Sequence, residues 1–182
     1  QDAVQSTLAV VFVADEDDCS AFDHSIYEQF PEDETLAEQP INLRCFYNKD
    51  KLQPLERYLF GLRNLGHARV LYAAIVGVPV DLVDAEAREG VDFSNDRARD
   101  AYYDQILADP RMQEEPDPNA SIGSNQDLKI ACESTFGRAY PGRRFVSLAK
   151  ALGTEALVQS ICCDSFRTPI DLIVEEVTQR VD

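Results

Sequence analysis

The chain has 182 residues, with 33 Asp and Glu against 17 Lys and Arg, which gives a formal net charge of −16. The length is typical of a single domain, and a hydrophobic fraction of 45% is too high for a disordered chain. The charge argues against nucleic acid and anionic lipid as main partners, because both require a basic face. No stretch reaches the roughly 18 apolar residues of a membrane span.

Three apolar runs rich in β-branched residues predict the strands of a sheet. The first, residues 7–14, ends abruptly at Asp15 and is typical of a strand buried on both faces. The second, residues 69–78, repeats this pattern and stops at Pro79, and residues 156–162 form a weaker third run. We therefore expect three strands with the character of a parallel sheet.

Helical patterns lie between and after these runs. Residues 52–65 carry Leu at three- and four-residue spacing and are followed by Gly66, a typical helix stop. Residues 144–152 end at Gly153 in the same way, and residues 96–108 form a more polar helix. Because strands alternate with helices along the chain, we expect right-handed crossovers between parallel strands.

The last predicted helix has the clearest start signals. Thr168 is predicted to cap it, Pro169 suits its first helical position, and Asp171 lies in its first turn. Its apolar residues recur at helical spacing and form one stripe, made of Ile170, Ile173, Val174 and Val177. This stripe predicts a helix with one apolar face.

The predicted fold is α/β, with a Rossmann-like, mostly parallel sheet and helices on both faces. Residues 1–182 form one domain with a loop-rich insertion at about residues 79–140. Three parallel strands make a thin sheet, whose outer edges stay bare unless something covers them. We therefore expect that part of the domain lies outside these 182 residues.

Five Cys in an acidic chain of this length suggest an exported protein with disulfides. We favour a Cys19–Cys45 bond, which closes the loop after the first strand. We also favour a Cys132–Cys162 bond, which ties the insertion to the end of the third strand and leaves Cys163 as the free thiol. The alternative is a cytosolic protein with five reduced thiols.

Four acidic residues, Asp15 to Asp18, directly follow the first predicted strand. Open α/β sheets bind ligands outside the carboxyl ends of their strands, and hard cations such as Mg²⁺ and Ca²⁺ prefer carboxylate oxygens. The candidate metal ligands are Asp15 and Asp17, with Glu16 and Asp18 as weaker candidates. The alternative is a solvated turn whose acids include a helix cap, and the residues by themselves leave both open.

A family resemblance centres on this turn. Residues 8–20, with the sequence LAVVFVADEDDCS, resemble the metal-motif strand of von Willebrand factor A domains, in the version found in exported proteins and lipoproteins of myxobacteria and their relatives. Residues 69–79 resemble the next strand of that family, residues 132–145 its Cys and Gly-x-Arg helix start, and residues 160–166 its final strand end. The resemblance implies that this chain is the C-terminal portion of a von Willebrand factor A-like domain.

In that family, three loops hold a divalent cation through an Asp-x-Ser-x-Ser motif, a Thr, and an Asp that follows a strand. The resemblance implies that Asp15 is the Asp of the third loop, with Mg²⁺ or Ca²⁺ as the cation. The sequence contains no Asp-x-Ser-x-Ser motif, so an upstream half of the same domain would supply the first two loops. The cation then leaves a position for a protein or another acidic ligand.

The sequence therefore predicts a non-enzymatic, exported binding or adhesion-type module with a cation site at the acid cluster. Its location would be the periplasm, an outer-membrane anchor or the extracellular space. One alternative is a disulfide-stapled structural or interaction domain without a working metal site. Another is a secreted hydrolase that uses Asp15 and Asp17 with a metal. Catalysis is not expected, because the chain has only two His and lacks the Gly-x-Ser-x-Gly, Walker and dinucleotide-binding motifs.

Overall fold

A computed structural model describes residues 7–65, 69–120 and 127–181 of the chain. The contacts between residues divide the chain into two compact units. The sheet unit consists of Gln1–Asp17, Leu55–Gln113 and Ile130–Asp182, and the loop unit consists of Asp18–Pro54 and Glu114–Lys129.

The secondary structure alternates between strands and helices, as expected of an α/β chain. The strands are β1 (Thr7–Val13), β2 (Arg69–Val76), β3 (Cys132–Ser134), β4 (Gly137–Ala139) and β5 (Ala156–Ser160). The α-helices are α1 (Glu34–Glu38), α2 (Arg44–Tyr47), α3 (Leu55–Arg63), α4 (Ala85–Arg88), α5 (Asp96–Ala108), α6 (Arg143–Leu152) and α7 (Arg167–Val181). Short 3₁₀ helices cover His24–Tyr27, Ile41–Leu43, Lys49–Lys51, Val80–Leu82, Pro110–Met112 and Gly153–Glu155.

Strands β1, β2 and β5 form a parallel sheet in the order β1-β2-β5. The register places Val10 of β1 beside Tyr72 of β2, and Ala73 of β2 beside Leu157 of β5. Strands β3 and β4 form a separate antiparallel hairpin. The predicted α/β class with a parallel sheet is therefore confirmed.

Different helices cover the two faces of this sheet. On one face, Leu71, Ala73 and Ile75 of β2 pack with Leu157 of β5 and Ile173 of α7. On the other face, the alternate residues of β2 pack with α3, α5 and α6 in a larger core. Its buried members are Tyr72, Ala74, Val76, Val78, Val83, Tyr102, Tyr103, Ile106, Met112, Ala131, Val146, Leu148, Ala149, Leu152 and Val158. Strand β2 is thus buried on both sides, as its continuous apolar sequence predicts.

The first strand differs from its prediction. The apolar run at residues 7–14 predicts burial on both faces, but no residue of β1 is fully buried and most are exposed. The prediction is wrong because β1 lies at an edge of the sheet, where α7 and α6 contact it only in part. Its Phe12 ring still contacts the rings of Tyr72 and Phe145, each at 5.6 Å between centroids.

Most predicted helices occur within a few residues of their expected positions. The helix predicted at residues 96–108 has the bounds of α5, and α6 begins one residue before residue 144. Gly153 ends α6 with a positive φ of 74°, a conformation that favours glycine. The helix predicted at residues 52–65 is shorter as α3, and the predicted stop at Gly66 lies outside the described residues.

The start of the last helix needs a correction. Thr168 is not the cap, because α7 begins at Arg167 and already includes it. The Ser165 hydroxyl accepts a hydrogen bond from the Arg167 N–H at 3.2 Å instead. The predicted stripe is also split: Ile173 is buried and Val177 is half-buried, whereas Ile170 and Val174 are exposed.

The segment predicted as a loop-rich insertion, residues 79–140, contains more regular structure than a loop. It includes α4, α5 and the β3–β4 hairpin, and α5 contributes buried residues to the core of the sheet unit. Just before this segment, Gly77 lies very close to Tyr140, the last residue of the segment. A Cβ placed at Gly77 would be 1.7 Å from the Tyr140 carbonyl oxygen. Only glycine fits at this crossing of the two segments.

The loop unit has a small core of its own. Ala21, Ile26, Leu36 and Leu52 are buried together, and the Cys19–Cys45 disulfide packs against them. The buried Arg44 guanidinium donates hydrogen bonds to backbone carbonyl groups, including that of Ile26 at 3.4 Å and that of Glu28. These bonds satisfy a charged group that would otherwise be costly to bury.

Candidate functional site

The turn after β1 is fixed to the sheet unit by main-chain hydrogen bonds. The Ala14 N–H donates to the Ile75 carbonyl at 3.1 Å, and the Tyr140 N–H donates to the Asp15 carbonyl at 2.8 Å. The Asp15 side chain is exposed and makes no hydrogen bond or ion pair with the described residues. The backbone of Asp15 is therefore held in place while its carboxylate faces solvent.

Asp17 has a structural role in this turn. Both of its carboxylate oxygens accept a hydrogen bond from the Arg144 backbone N–H, at 3.0 Å each. The N-cap residue of α6 is Gly142, which has no side chain to accept such a bond. The negative charge of Asp17 also lies at the positive end of the α6 dipole. Asp17 therefore caps α6, which is the role that the alternative interpretation gives to one acid of the turn.

The other two acids make local or solvent contacts. The Asp18 carboxylate accepts hydrogen bonds from Ser20, from its N–H at 3.1 Å and its hydroxyl at 2.6 Å, and Glu16 is exposed. Across the described residues, no group of three or more His, Cys, Asp or Glu side chains is arranged to hold a metal ion. The cation site at Asp15 and Asp17 therefore stays a prediction.

The cysteines form two disulfides. One joins Cys19 to Cys45, with 5.7 Å between their Cα atoms, and the other joins Cys132 to Cys162, with 6.0 Å between theirs. These are the two pairs that the sequence favours, and Cys163 carries a free, half-buried thiol. The second bond links the β3–β4 hairpin to the turn after β5.

The outer edge of β1 carries exposed apolar side chains. Its large apolar side chains are 40–59% exposed, and within residues 7–65, 69–120 and 127–181 no strand pairs with this edge. They lie on both faces, with Val11 and Val13 on the side of α7, and Leu8 and Phe12 on the side of α6. An apolar edge strand of this kind is a template for another strand.

The hydrogen bonds between β1 and β2 determine which main-chain N–H and C=O groups of β1 point to the outer edge. The Ala14 N–H points to β2, and successive residues of a strand point their N–H groups to opposite sides. The N–H and C=O groups of Ala9, Val11 and Val13 therefore point away from β2. We name these main-chain groups, together with the exposed side chains of Leu8, Val11, Phe12 and Val13, the β1 edge surface.

A cleft of about 340 Å³ lies between the segment after β2 and α5, and no sequence motif signalled it. Asp81, Asp84, Glu86, Gln105 and Tyr102 line it, together with Leu82, Ala87 and Ile106. Two of its three acids are engaged, because Asp81 pairs with Arg111 at 2.8 Å and Asp84 caps α4 through the Ala87 N–H at 2.8 Å, whereas Glu86 is exposed. Burial raises the pKa of the Tyr102 hydroxyl, against a smaller opposing effect of the Arg88 charge. Among the described residues, the buried Tyr102 hydroxyl has no hydrogen-bond partner.

None of the helices in the described part of the chain has the length and apolar character that a membrane crossing needs. Comparison with models of protein families, with curated proteins and with solved structures finds no match to this chain.

Proposed function

We propose that this chain is a non-enzymatic interaction domain that binds a protein partner through the β1 edge surface. The observation that carries the proposal is the exposure of an uncharged, apolar strand at a sheet edge with which no strand of the described residues pairs. Strand addition at such an edge gives affinity through main-chain hydrogen bonds and specificity through side-chain contacts. An upstream half of the same domain, as the family resemblance suggests, is one such partner.

The Asp17 cap supports an interaction domain over a hydrolase. Of the two carboxylates that the hydrolase alternative would use, Asp17 already has a structural role, because its oxygens share the Arg144 N–H and cap α6. The two disulfides stabilise the units that carry the edge and the turn, by about 3–4 kcal/mol each for loops of 26 and 30 residues in the chain-entropy model.

Hydrogen exchange on the dilute, monomeric chain tests the proposal directly. The amides of Ala9, Val11 and Val13 should exchange fast because they point away from β2, whereas those of Val10 and Ala14 should be protected. A synthetic peptide of alternating Val and Thr with Lys at both ends, chosen to suit a chain of charge −16, should then slow exchange at the first three positions.

Val11→Pro is the matched variant for this experiment. It removes one outward donor without removing a ladder bond to β2, so the fold should persist while peptide binding is lost. Protection of the three outward amides in the dilute chain without peptide would show that the edge is already covered and would overturn the proposal.

A second candidate function is a cation-dependent form of the same binding. It is favoured by Asp15, whose backbone is fixed while its carboxylate is exposed at the carboxyl end of β1. As the resemblance implies, Mg²⁺ or Ca²⁺ at Asp15 would take its remaining ligands from the upstream half and from an acidic group of the partner. Thermal unfolding in EDTA and in millimolar Mg²⁺ or Ca²⁺, beside Asp15→Asn, tests this.

At 100 times its dissociation constant, a cation that binds only the folded chain adds about 2.7 kcal/mol, which is several degrees in the unfolding temperature. A rise that Asp15→Asn abolishes supports the cation-dependent form. An equal rise in both proteins contradicts a cation site at Asp15, and no rise in either shows that this chain by itself does not hold the cation.

We also propose that the protein is exported. Disulfides persist in oxidising compartments, and the structure contains two of them. Protein isolated from its own cells and denatured without reductant should react with one equivalent of maleimide, at Cys163. Reaction of all five Cys would indicate reduced thiols and contradict export.

A further inference from the structure

We propose that the cleft between the segment after β2 and α5 binds a primary alkylammonium ion, which is a small organic cation. The cleft lies within the sheet unit and shares no residue with the β1 edge surface. It would be a second binding function, independent of strand addition at β1. Its charge, its unused oxygen atoms, a buried hydroxyl and its apolar wall all favour this class of ligand.

The charge of the cleft favours a cation. Three carboxylates line it, those of Asp81, Asp84 and Glu86, and none of the described residues that line it is basic. Arg111 pairs with Asp81 at 2.8 Å, but it also pairs with Asp109 at 2.9 Å, so two acids share one positive charge. A concave site lined by one sign of charge concentrates ligands of the opposite sign.

Two of these carboxylates keep oxygen atoms for a ligand. Asp84 caps α4 with its Oδ1 atom, and its Oδ2 atom makes no hydrogen bond or ion pair with the described residues. The Glu86 side chain is exposed and also makes no hydrogen bond or ion pair with them. An alkylammonium group has three N–H donors and no acceptor, so it suits a site whose open groups are acceptor oxygens.

Tyr102 adds an observation that is independent of the acids. It lines the cleft although only 6% of it is exposed, and its hydroxyl has no hydrogen-bond partner among the described residues. Burial raises the pKa of this hydroxyl, and the charges of Arg88 and Asp84 lower and raise it, which places the hydroxyl beside α4, one wall of the cleft. Arg88 itself lies over the Phe93 ring, 4.5 Å from its centroid. A buried hydroxyl without a partner is destabilising, and a ligand that bonds to it relieves this.

The lining and the volume favour an organic cation over a metal ion. No group of three or more His, Cys, Asp or Glu side chains in the described parts of the chain could hold a metal, so the cleft carboxylates do not converge on one ion. Leu82, Ala87 and Ile106 give the cleft an apolar part that suits a carbon chain. Its volume of about 340 Å³ lies at the lower end of the range for small-molecule sites, about 300–1,000 Å³.

Amide NMR of the 182-residue chain at constant ionic strength tests the inference. The probes are n-butylammonium and its neutral analogue 1-butanol, and titration to about 10 mM covers sites with dissociation constants of about 1 mM. We expect the amides of Leu82, Ala87 and Ile106 to shift in a saturable way with n-butylammonium but not with 1-butanol. No shift with the amine, or equal shifts with both probes, overturns the inference.

Three variants separate a built site from a diffuse attraction of cations to an acidic chain. Tyr102→Phe removes one oxygen atom without changing the charge and should weaken n-butylammonium binding about tenfold, as expected for a hydrogen bond to a charged group. Glu86→Gln should weaken it about threefold. Glu89→Gln removes the same charge from an exposed residue outside the cleft and is the control that should leave binding unchanged. Equal weakening by Glu86→Gln and Glu89→Gln overturns the inference.

The stability of the chain without amine checks the role of the Tyr102 hydroxyl. Because this hydroxyl has no partner, Tyr102→Phe should leave the unfolding temperature unchanged or raise it. A clear fall would show that the hydroxyl already has a partner inside the chain and would overturn the inference.

N-acetyl-lysine amide extends the test to the source of the ammonium group, because it carries the same butylammonium chain on a peptide unit. Tighter binding than that of n-butylammonium supports a lysine side chain as the ligand, and weaker binding supports a free amine.

Discussion

Strands β1 and β2 have nearly the same kind of sequence but different surroundings. Both are apolar and rich in Val, Ala and aromatic residues, and they lie side by side in one sheet. In β2, every residue after Arg69 is buried, whereas most of β1 is exposed. The comparison teaches that a continuous apolar run identifies a strand but does not decide whether helices of the same chain bury both of its faces. The proposed interaction rests on this difference between β1 and β2.

The largest expected effect is the difference in stability between a Leu→Ala substitution in β2 and one in β1. Leu71→Ala in β2 removes a fully buried side chain and should lower the free energy of unfolding by about 2–5 kcal/mol. Leu8→Ala in β1 should cost about 1 kcal/mol or less, because water already reaches that side chain. Urea unfolding of the dilute variants measures both. Equal losses would contradict the difference in burial between the strands.

The turn after β2 should be less tolerant of added volume than an open site. Gly77→Ala forces a Cβ against the Tyr140 carbonyl and should cost about 1–3 kcal/mol or more in the free energy of unfolding. Gly61→Ala in α3, where nothing lies within 4 Å of the new Cβ, should instead stabilise by about 0.5–1 kcal/mol. Denaturant unfolding of the two variants measures both effects. A neutral Gly77→Ala would contradict the close contact between Gly77 and Tyr140.

In the turn after β1, replacing the acid that caps α6 should lower the stability more than replacing the exposed acid. Asp17→Ala removes the cap of α6 and should cost about 1 kcal/mol in the free energy of unfolding. Asp15→Ala, two residues away, should leave stability in EDTA nearly unchanged because its carboxylate is exposed. Thermal unfolding of both variants measures the difference, and the reverse order of effects would refute the capping role of Asp17.

The smallest expected effect is the pH dependence of stability that comes from Asp81 and Asp109, which pair with Arg111. Hydrogen bonds from the Arg111 guanidinium hold the pKa of the Asp81 and Asp109 carboxyls below its usual value. Because each pKa is lower in the folded state, the stabilisation is present above about pH 4, the unfolded value, and is lost as pH falls through the folded pKa. These groups are near the surface, so the loss should not exceed about 1 kcal/mol.

Carbon-detected NMR titration checks this pH dependence. Arg111→Ala should raise the pKa of both Asp81 and Asp109. The control is Asp92, whose pKa is lowered by hydrogen bonds from Ser94 and should stay lowered in the variant. If the Asp81 and Asp109 pKa values do not move, the Arg111 pairing does not persist in solution.

Local patterns in the sequence were sufficient for the three parallel strands and for α3, α5, α6 and α7, but not for α1, α2, α4 or the β3–β4 hairpin. The apolar runs identified the three parallel strands, and the glycine stop at Gly153 gave the end of α6, because only residues tolerant of a positive φ end a helix in this way. The start of α7 was misplaced, because a hydroxyl at Thr168 and one at Ser165 are equivalent cap signals until the backbone conformation is known.

The site was predictable only in part, because its geometry depends on long-range contacts. The acids after β1 were visible, but the role of Asp17 depends on an α6 that begins 126 residues later, at Arg143. The one local clue is Gly142, an N-cap residue without a side chain, which indicates a cap from elsewhere. The bare edges of a three-stranded sheet were expected, but which strand would lie exposed depends on the order β1-β2-β5, which no residue pattern specifies.

The two disulfides have a mechanical consequence. Each closes a covalent ring inside the chain, spanning 26 residues from Cys19 to Cys45 and 30 residues from Cys132 to Cys162. Under tension applied at the chain ends, these rings do not extend, which shortens the unfolded contour by about 90 Å and about 105 Å. A pulled chain would therefore extend mainly the segment between the two rings, while about half of the loop unit and all of α6 remained within closed loops.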